Sequence, residues 1–169
     1  MTAPHPATLC DNELLRDCTE VRTRRSGPGG QHRNKVETAI VLTHSPTGIT
    51  AEANERRSQA DNRRAALFRL RVNLALKFRT ERSPDATPSD LWQSRCYCGR
   101  IAINPSHTNF PSLLAESLDM LAANDWDAAT AAEHLTVTPS QLAKFLKLEP
   151  RAFALLNTER EQRGLRSLR

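Results

Sequence analysis

The sequence has no long apolar run and no targeting signal. No stretch approaches the roughly 18 consecutive apolar residues that a membrane-spanning helix needs. The opening residues, MTAPHPATLCDNELLRD, contain no basic segment followed by an apolar one, which argues against a secretory leader. These two absences predict a cytoplasmic protein with no membrane partner. A length of 169 residues allows one or two compact units and excludes a large multidomain enzyme.

The cysteines do not have the pattern of a disulfide-rich secreted domain. Cys10 and Cys18 lie far along the chain from the close pair Cys96 and Cys98. A zinc site that used Cys96, Cys98 and His107 is conceivable, but two residues usually separate paired zinc-binding cysteines, and here a single residue does. We therefore expect reduced thiols, no metal and no cofactor.

Positive charge is concentrated in the first half of the chain. The formal net charge is +5 and the pI is about 9.4. Residues 16–82 hold 15 Lys and Arg against seven Asp and Glu, a net charge of +8, whereas residues 83–169 hold nine against ten, a net charge of −1. A basic protein of this kind favours a polyanionic partner such as nucleic acid. The distribution assigns that partner to the first half.

Three strand-like segments and one long helix are predicted before residue 83. LCDNELL predicts a short helix capped by Asp11, and CTEVRTRR, VETAIVLTH and ITAEA are rich in β-forming residues. Pro46 and Gly48 favour a tight turn between the last two segments, which makes a hairpin. From Glu55 to about Phe78, apolar residues at steps of three and four predict a helix whose other faces are basic. The prediction is an α+β fold in which one long basic helix packs on a small sheet.

The second half has the pattern of a helical module. The run RSPDATPSD, with prolines among polar residues, predicts a linker. Four helical patterns follow, LLAESLDMLAAN, WDAATAAEHL, TPSQLAKFLKL and EPRAFALLNTEREQRG. Thr138 is expected to cap the third helix, with Pro139 at its first position, and AAEHLTVTPSQLAKFL predicts a helix-turn-helix-like layout. The resulting domain prediction is a first domain at 1–82, a linker at 83–108 and an all-α module at 109–169.

The segment RSGPGGQHRNK places two adjacent glycines and a glutamine among basic residues. A lone GGQ is weak evidence for any family. Here, however, Asn34, the turn THSPTG, the tripeptide RSQ at 57–59 and Asn62 follow it in order. Over about residues 19–78 the chain therefore resembles the peptidyl-tRNA hydrolysis domain, or GGQ domain, of class I peptide chain release factors.

The resemblance implies a ribosome-dependent hydrolase. The substrate of such domains is the ester that joins a peptide to the terminal ribose of P-site tRNA, so the implied partners are large-subunit rRNA and peptidyl-tRNA. The implied catalytic residues are Gly29, Gly30 and Gln31. Glycines permit close approach of the backbone, whereas the neutral Gln31 carboxamide does not titrate usefully and is no general base. The residues expected to contact RNA are Arg24, Arg25, Arg33, Lys35, Arg56, Arg57, Ser58, Gln59, Arg63 and Arg64.

The domain context suggests a role that does not involve reading a stop codon. Full release factors carry a long codon-reading segment ahead of this domain, whereas only about 18 residues precede the first predicted strand here. The resemblance is thus to short release-factor-like proteins that free peptides from stalled ribosomes or stalled large subunits. The near-neutral helical half is expected to set target choice. We also expect a monomer, and the resemblance makes a glutamine methyltransferase that acts on Gln31 a candidate partner, since the corresponding residue is often methylated in the family.

Other interpretations of the same residues stay open. His32, beside the motif, could contact phosphate or solvent rather than act as a base. The arginines of the long helix could form only a solvated surface, since charge runs usually do. The chain could also be a non-catalytic RNA- or DNA-binding regulatory protein that uses the basic half together with the helix-turn-helix-like half. For DNA contact, the third helix of that half offers only Gln141, Lys144 and Lys147.

Overall fold

The computed structural model describes residues 4–23 and 39–169 of the chain. They form two compact units. The first unit is Pro6–Phe78, and the second consists chiefly of Arg79–Arg169. Within the described ranges, no helix is both long enough and apolar enough to cross a membrane.

The predicted α+β fold is confirmed. The first unit contains a 3₁₀ turn at Pro6–Thr8, helix α1 at Asp11–Arg16, strands β1 at Cys18–Thr23, β2 at Ala39–His44 and β3 at Ile49–Ala53, and helix α2 at Gln59–Lys77. The predicted cap of α1 is wrong, because Asp11 is already the first helical residue and Cys10 is the N-cap. The Glu13 carboxylate accepts a hydrogen bond from the Cys10 N–H at 3.2 Å, which satisfies that backbone donor at the helix start.

The sheet is antiparallel, and β2 is its central strand. Side chains alternate between the two faces of a strand, and Ile40 and Leu42 of β2 share one face and are buried. Their partners on β3 are Ala53 and Ala51, which are also buried. Helix α2 packs on β2 and β3. The small alanines allow the helix to come close to the sheet at this point.

The turn between β2 and β3 has the predicted geometry. Gly48 has φ of +67°, a left-handed conformation that favours glycine, and its N–H donates to the His44 carbonyl at 2.8 Å. The His44 ring is buried, and its Nδ1 lies 2.8 Å from Oγ1 of Thr47, which also accepts from the Ile49 N–H at 3.3 Å. His44 therefore holds the turn rather than facing solvent. Burial lowers the pKa of His44, and the nearby Asp17 carboxylate opposes this effect.

Helix α2 begins later than the predicted residue 55. Ser58 is its N-cap, and the buried side chain of Asn62 keeps the preceding backbone out of the helix. Asn62 Oδ1 accepts from the Arg56 N–H at 2.9 Å, and Asn62 Nδ2 donates to the Arg56 carbonyl at 2.9 Å. The predicted apolar stripe of the helix is confirmed as buried at Leu67, Leu70 and Leu74.

The second unit is built from helices and one short hairpin. Its elements are α3 at Asp90–Arg95, β4 at Cys96–Tyr97, β5 at Arg100–Ile101, α4 at Phe110–Ala123, α5 at Ala128–His134, α6 at Pro139–Leu146 and α7 at Pro150–Gln162. The predicted cap of α6 is confirmed, since Thr138 Oγ1 accepts from the Gln141 N–H at 3.2 Å and Pro139 is the first helical residue. Helices α5 and α6 and the turn between them have the helix-turn-helix-like layout.

The segment 83–108, which the sequence predicts as a linker, contains α3 and the β4–β5 hairpin. Trp92 of α3 has no exposed surface, and its Nε1–H donates to the Leu135 carbonyl at 2.8 Å. The indole packs edge-on against the Phe145 ring with the centroids 5.6 Å apart. A helix this short shows no apolar periodicity in the sequence, so composition alone made the segment look unstructured. The boundaries of the three predicted domains stay a prediction.

Two buried carboxylates of α4 bind the chain at the start of the second unit. Asp119 Oδ1 lies 3.0 Å from Nη1 of Arg79, and Glu116 Oε1 lies 3.1 Å from Nη2 of Arg82. Glu116 Oε1 also accepts from the Ser89 N–H at 2.7 Å. The carboxylate side chains are only 4% and 7% exposed. A buried charge needs a partner of opposite sign, so these arginines fix residues 79–89 against α4.

Candidate functional site

The last register pair of β1 and β2 is Thr23 with Ala39. These two residues are the ends between which residues 24–38 run, and that whole segment lies outside the described residues. The predicted catalytic residues and the loop cations belong to it: Gly29, Gly30, Gln31, Arg24, Arg25, Arg33 and Lys35. The structure therefore describes the base of the predicted catalytic loop, which we call the loop root and define as Thr23 and Ala39.

An open cleft lies next to the loop root, between β1 and the start of α2. Its lining residues are Glu20, Arg22, Ile40, Gln59, Ala60 and Arg63. The Arg22–Ile40 pair is adjacent to the loop root in the β1–β2 register. The cleft exists because α2 packs on β2 and β3 and leaves the edge strand β1 with polar side chains on that face. Gln59, Ala60 and Arg63 are thereby brought close to the loop root.

Glu20 organises the arginines in this cleft. Its carboxylate accepts from Nε of Arg63 at 2.7 Å and from Nε of Arg22 at 3.2 Å. The hydrogen bond from Arg63 is the main reason that the pKa of Glu20 is lowered, with a further contribution from Arg22. Both arginine side chains remain about half exposed, at 49% for Arg63 and 59% for Arg22. The pairing orients the cations and leaves them accessible to an anion.

The predicted RNA-contacting residues in the described part gather around the N-terminus of α2. Arg56, Arg57, Ser58, Arg63 and Arg64 are exposed, and Gln59 lines the cleft. Arg64 pairs with Asp61 at 3.3 Å, one turn of helix away. The side chains of Arg56 and Arg57 make no ion pair to a described residue. Positive charge is thus presented to solvent next to the loop root.

Two further basic residues of α2, Arg69 and Arg71, have structural roles that the sequence did not indicate. Arg69 donates from Nη1 to the Glu52 carbonyl at 2.8 Å and pairs with Glu55. Arg71 donates to the Leu9 carbonyl and pairs with Asp11 at 3.2 Å. These contacts tie α2 to other parts of the first unit. Four exposed cations, Arg56, Arg57, Arg63 and Arg64, lie at or just before the start of the helix, and Arg69 and Lys77 are exposed farther along it.

The four cysteines are free thiols. Cys10 and Cys98 are exposed, whereas Cys18 and Cys96 are partly buried, and burial raises the pKa of both of the latter. In the described part of the chain, no group of three or more His, Cys, Asp and Glu side chains is arranged to hold a metal ion. His107, considered above as a ligand, accepts at Nδ1 from the Asn109 N–H at 3.1 Å.

Comparison with known proteins assigns a family to this part of the chain. Residues 14–96 match the RF-1 domain. Peptide chain release factor 1 of Xylella fastidiosa is 50% identical over 64 residues, and the chloroplastic peptide chain release factor PrfB1 of Arabidopsis thaliana is 44% identical over 63. Peptide chain release factor 1 of Mycoplasma genitalium is 32% identical over 132 residues. Residues 14–96 are thus similar to the RF-1 domain, the GGQ domain of class I release factors.

The extent of these matches differs from the predicted resemblance. The domain match runs from Leu14 to Cys96, beyond the predicted limits of about 19 and 78, through α3 and to the first residue of β4. The three alignments cover 38%, 37% and 73% of this chain, in the order given above. They cover only 17%, 14% and 36% of the relatives, so this chain spans about a third of their length at most.

Proposed function

We propose that this protein hydrolyses the ester of peptidyl-tRNA on the ribosome and so releases the nascent peptide. The observation that carries the proposal is the RF-1 domain at residues 14–96, which includes the GGQ motif. The geometry of the described residues supports it. The loop root holds the two ends of the motif-bearing segment beside exposed arginines, where a loop that enters an RNA cavity would need cations.

In this proposal, Gln31 acts through polar contacts rather than by proton transfer. Its backbone N–H donates to the charge that develops on the reacting oxygen, and its side chain shapes the pocket that admits water. Loss of one such donor typically costs about 3 to 4 kcal/mol of transition-state stabilisation. Gly29 and Gly30 permit close approach of the backbone to the tRNA terminus, which a side chain would block.

The basic residues supply the grip on rRNA. The loop cations Arg24, Arg25, Arg33 and Lys35 neutralise phosphates around the catalytic cavity. The surface at the start of α2 makes a second set of contacts through Arg56, Arg57, Ser58, Gln59, Arg63 and Arg64. Phosphate contacts of this kind fix position and carry no sequence information. Glu20 is a positioning residue here, because it holds Arg63 in the cleft.

Single-turnover peptide release from purified ribosomes that hold peptidyl-tRNA tests the catalytic assignment. Gln31→Ala is expected to bind ribosomes normally and to lose about 10²- to 10³-fold in rate. Gly30→Ala is expected to lower both the rate of release and ribosome binding, because the added methyl group would clash in the tightest part of the cavity. Gln162→Ala, an exposed glutamine at the end of α7, is the matched control and should release at the wild-type rate. Wild-type rates for both motif variants would refute the proposal.

Ribosome sedimentation across a salt series tests the basic surface. Arg56 and Arg57 are suitable targets because both are exposed and the Asn62 contacts use only the backbone of Arg56. Arg56→Gln with Arg57→Gln should weaken ribosome binding and flatten its salt dependence. The control, Arg151→Gln with Arg163→Gln, removes the same charge from the second unit. Equal weakening by both pairs would show a general charge effect and count against this surface.

We further propose that release does not depend on a stop codon and that stalled ribosomes or stalled large subunits are the substrates. Two points support this proposal. The matched RF-1 domain carries the hydrolytic motif, and hydrolysis of the ester requires no contact with a codon. Release should proceed equally on messages that end without a stop codon and on messages with a stop codon in the A site. A strict requirement for a stop codon would overturn it. Monomeric state, cytoplasmic location and methylation of Gln31 stay predictions.

A further inference from the structure

A basic groove lies on the second unit, away from the motif-bearing segment along the chain. It runs between the exposed face of α6 and the last residues of the sequence. Its lining residues include Ser140, Ala143, Lys144, Lys147, Leu168 and Arg169. Lys144, Lys147 and Arg169 are exposed. We call this feature the α6 groove.

The C-terminal residues are held in place beside α6 by α7. The Asn157 side chain makes a reciprocal pair with the backbone of Leu168, donating from Nδ2 to its carbonyl at 3.1 Å and accepting its N–H at Oδ1 at 2.8 Å. Nε of Arg160 donates to the Arg166 carbonyl at 3.0 Å. The segment after α7 is therefore folded back along that helix. This is why Arg169 joins two lysines that precede it by more than twenty positions in the sequence.

The charge of the groove differs from that of the unit around it. Residues 83–169 carry a net charge of −1, yet no carboxylate side chain lines the groove. Glu149 is the acidic residue nearest to α6 in sequence, and its Oε1 forms an ion pair with Nε of Arg151 at 2.7 Å. Nζ of Lys147 lies 4.9 Å from the centre of the Phe153 ring, which orients the ammonium group. Even if an α-carboxylate at Arg169 removes one unit of charge, the lining is net positive.

We propose that the α6 groove binds the phosphate backbone of RNA. Lysine ammonium groups bind phosphate as mobile point charges, and the Ser140 hydroxyl adds a neutral donor. The open groove suits a continuous strand better than a small enclosed anion. The choice of RNA rests on the proposed function, which brings the chain to the ribosome, whereas the anion site itself rests only on the geometry. The second unit would then contribute a grip of its own, separate from the loop root.

Fluorescence anisotropy with a labelled single-stranded RNA of mixed sequence tests this site in the full chain. Each phosphate contact to single-stranded nucleic acid contributes about 0.7 to the slope of log affinity against log salt. Lys144→Gln with Lys147→Gln should therefore weaken binding and reduce the slope by about 1.4. The control pair, Arg163→Gln with Arg166→Gln, removes two exposed cations that do not line the groove and should leave the slope unchanged.

Three results would overturn the proposal. The first is an unchanged salt slope in the Lys144→Gln, Lys147→Gln variant, which we call the groove pair, and the second is an equal reduction of the slope in the groove pair and in the control pair. The third is displacement of the RNA by polyglutamate as effectively as by unlabelled RNA. The last would make the groove an acidic-peptide site. Tryptophan fluorescence checks that the variants are folded. Peptide release by the groove pair at saturating protein should be that of the wild type. Loss of RNA binding and failure of hydrolysis are thus separate outcomes. If Gln31→Ala released peptide at the wild-type rate, the proposed function would be refuted, but the RNA-binding result for the α6 groove would be unaffected.

Discussion

One arginine–carboxylate pair in the first unit and one in the second differ in how deeply they are buried. In the first unit, the Arg63–Glu20 pair has side chains 49% and 22% exposed. In the second unit, the Arg79–Asp119 pair has side chains 26% and 4% exposed. Exposed pairs contribute little to stability, whereas a buried charge that loses its partner destabilises strongly. The Arg63–Glu20 pair thus keeps its arginine available to a ligand, whereas the Arg79–Asp119 pair holds the chain of its own unit together.

The largest expected effect comes from breaking the buried pair. Asp119→Asn keeps the shape of the side chain but removes the carboxylate charge that pairs with Arg79. Burial lowers the pKa of Arg79 and Asp119 opposes this effect, so the carboxylate compensates the cost of burying that cation. We expect a loss of about 3 kcal/mol in the free energy of unfolding. Urea denaturation monitored by tryptophan fluorescence measures it in the second unit alone, because both tryptophans, Trp92 and Trp126, lie there.

The same chemical change in the first unit provides the comparison. Glu20→Gln removes the carboxylate charge from an exposed pair and is expected to cost about 0.5 kcal/mol, measured by far-UV circular dichroism. It should nevertheless weaken ribosome binding, since Arg63 loses the contact that positions it. A loss as large as that of Asp119→Asn would remove the distinction between the two kinds of pair.

Trp92 tests whether the segment 83–108 belongs to the folded second unit. Trp92→Phe removes the indole N–H and leaves the Leu135 carbonyl buried without this donor. The expected cost is about 2 kcal/mol, which is typical of an unsatisfied buried polar group. Thermal denaturation followed by circular dichroism is suitable, because the variant keeps only one tryptophan. If 83–108 were a linker, the substitution would leave the melting temperature unchanged.

One further effect concerns the pH dependence of the first unit. Because the folded-state pKa of His44 is below its ordinary value of 6.5, the unfolded chain binds this proton more readily. The contribution of His44 to stability is therefore complete above pH 6.5 and decreases as the pH falls below it. The slope is at most about 1.4 kcal/mol per pH unit. The free energy of unfolding is measured from pH 7.5 to about 5 for His44→Gln and for the wild type. The difference between the two removes the contribution of the other histidines, and identical pH profiles would contradict the prediction.

Much of the first unit could be predicted from sequence because its elements are long or strongly patterned. Period-two strands, a glycine in a left-handed turn and the apolar stripe through Leu67 and Leu70 each have a local signal. The capped helix at Thr138 has one too. The segment containing Trp92 has none, since its elements are too short to show a period. Its burial depends on partners such as Leu135 and Phe145, which the chain supplies much later.

Parts of the candidate site that have a local sequence signal were predicted, and parts that depend on distant contacts were not. Residues 56–59 and 63–64 were grouped by a motif and by helical spacing, both of which are local. The role of Glu20 was not foreseen, because its partner Arg63 is 43 positions away and the pair depends on how α2 packs on the sheet. A lone acidic residue in an otherwise basic strand was the available signal. The different roles of Arg71 and Arg64 likewise depend on tertiary contacts.

Each unit has one exposed native cysteine that can be labelled. Cys10 in the first unit and Cys98 in the second are exposed, while Cys18 and Cys96 are partly buried and have raised pKa values. Because the thiolate is the nucleophile, a maleimide near neutral pH should react first at Cys10 and Cys98. With a donor and an acceptor dye at these two positions, energy transfer would report the distance between the units before and after ribosome binding, with no cysteine engineered into the chain.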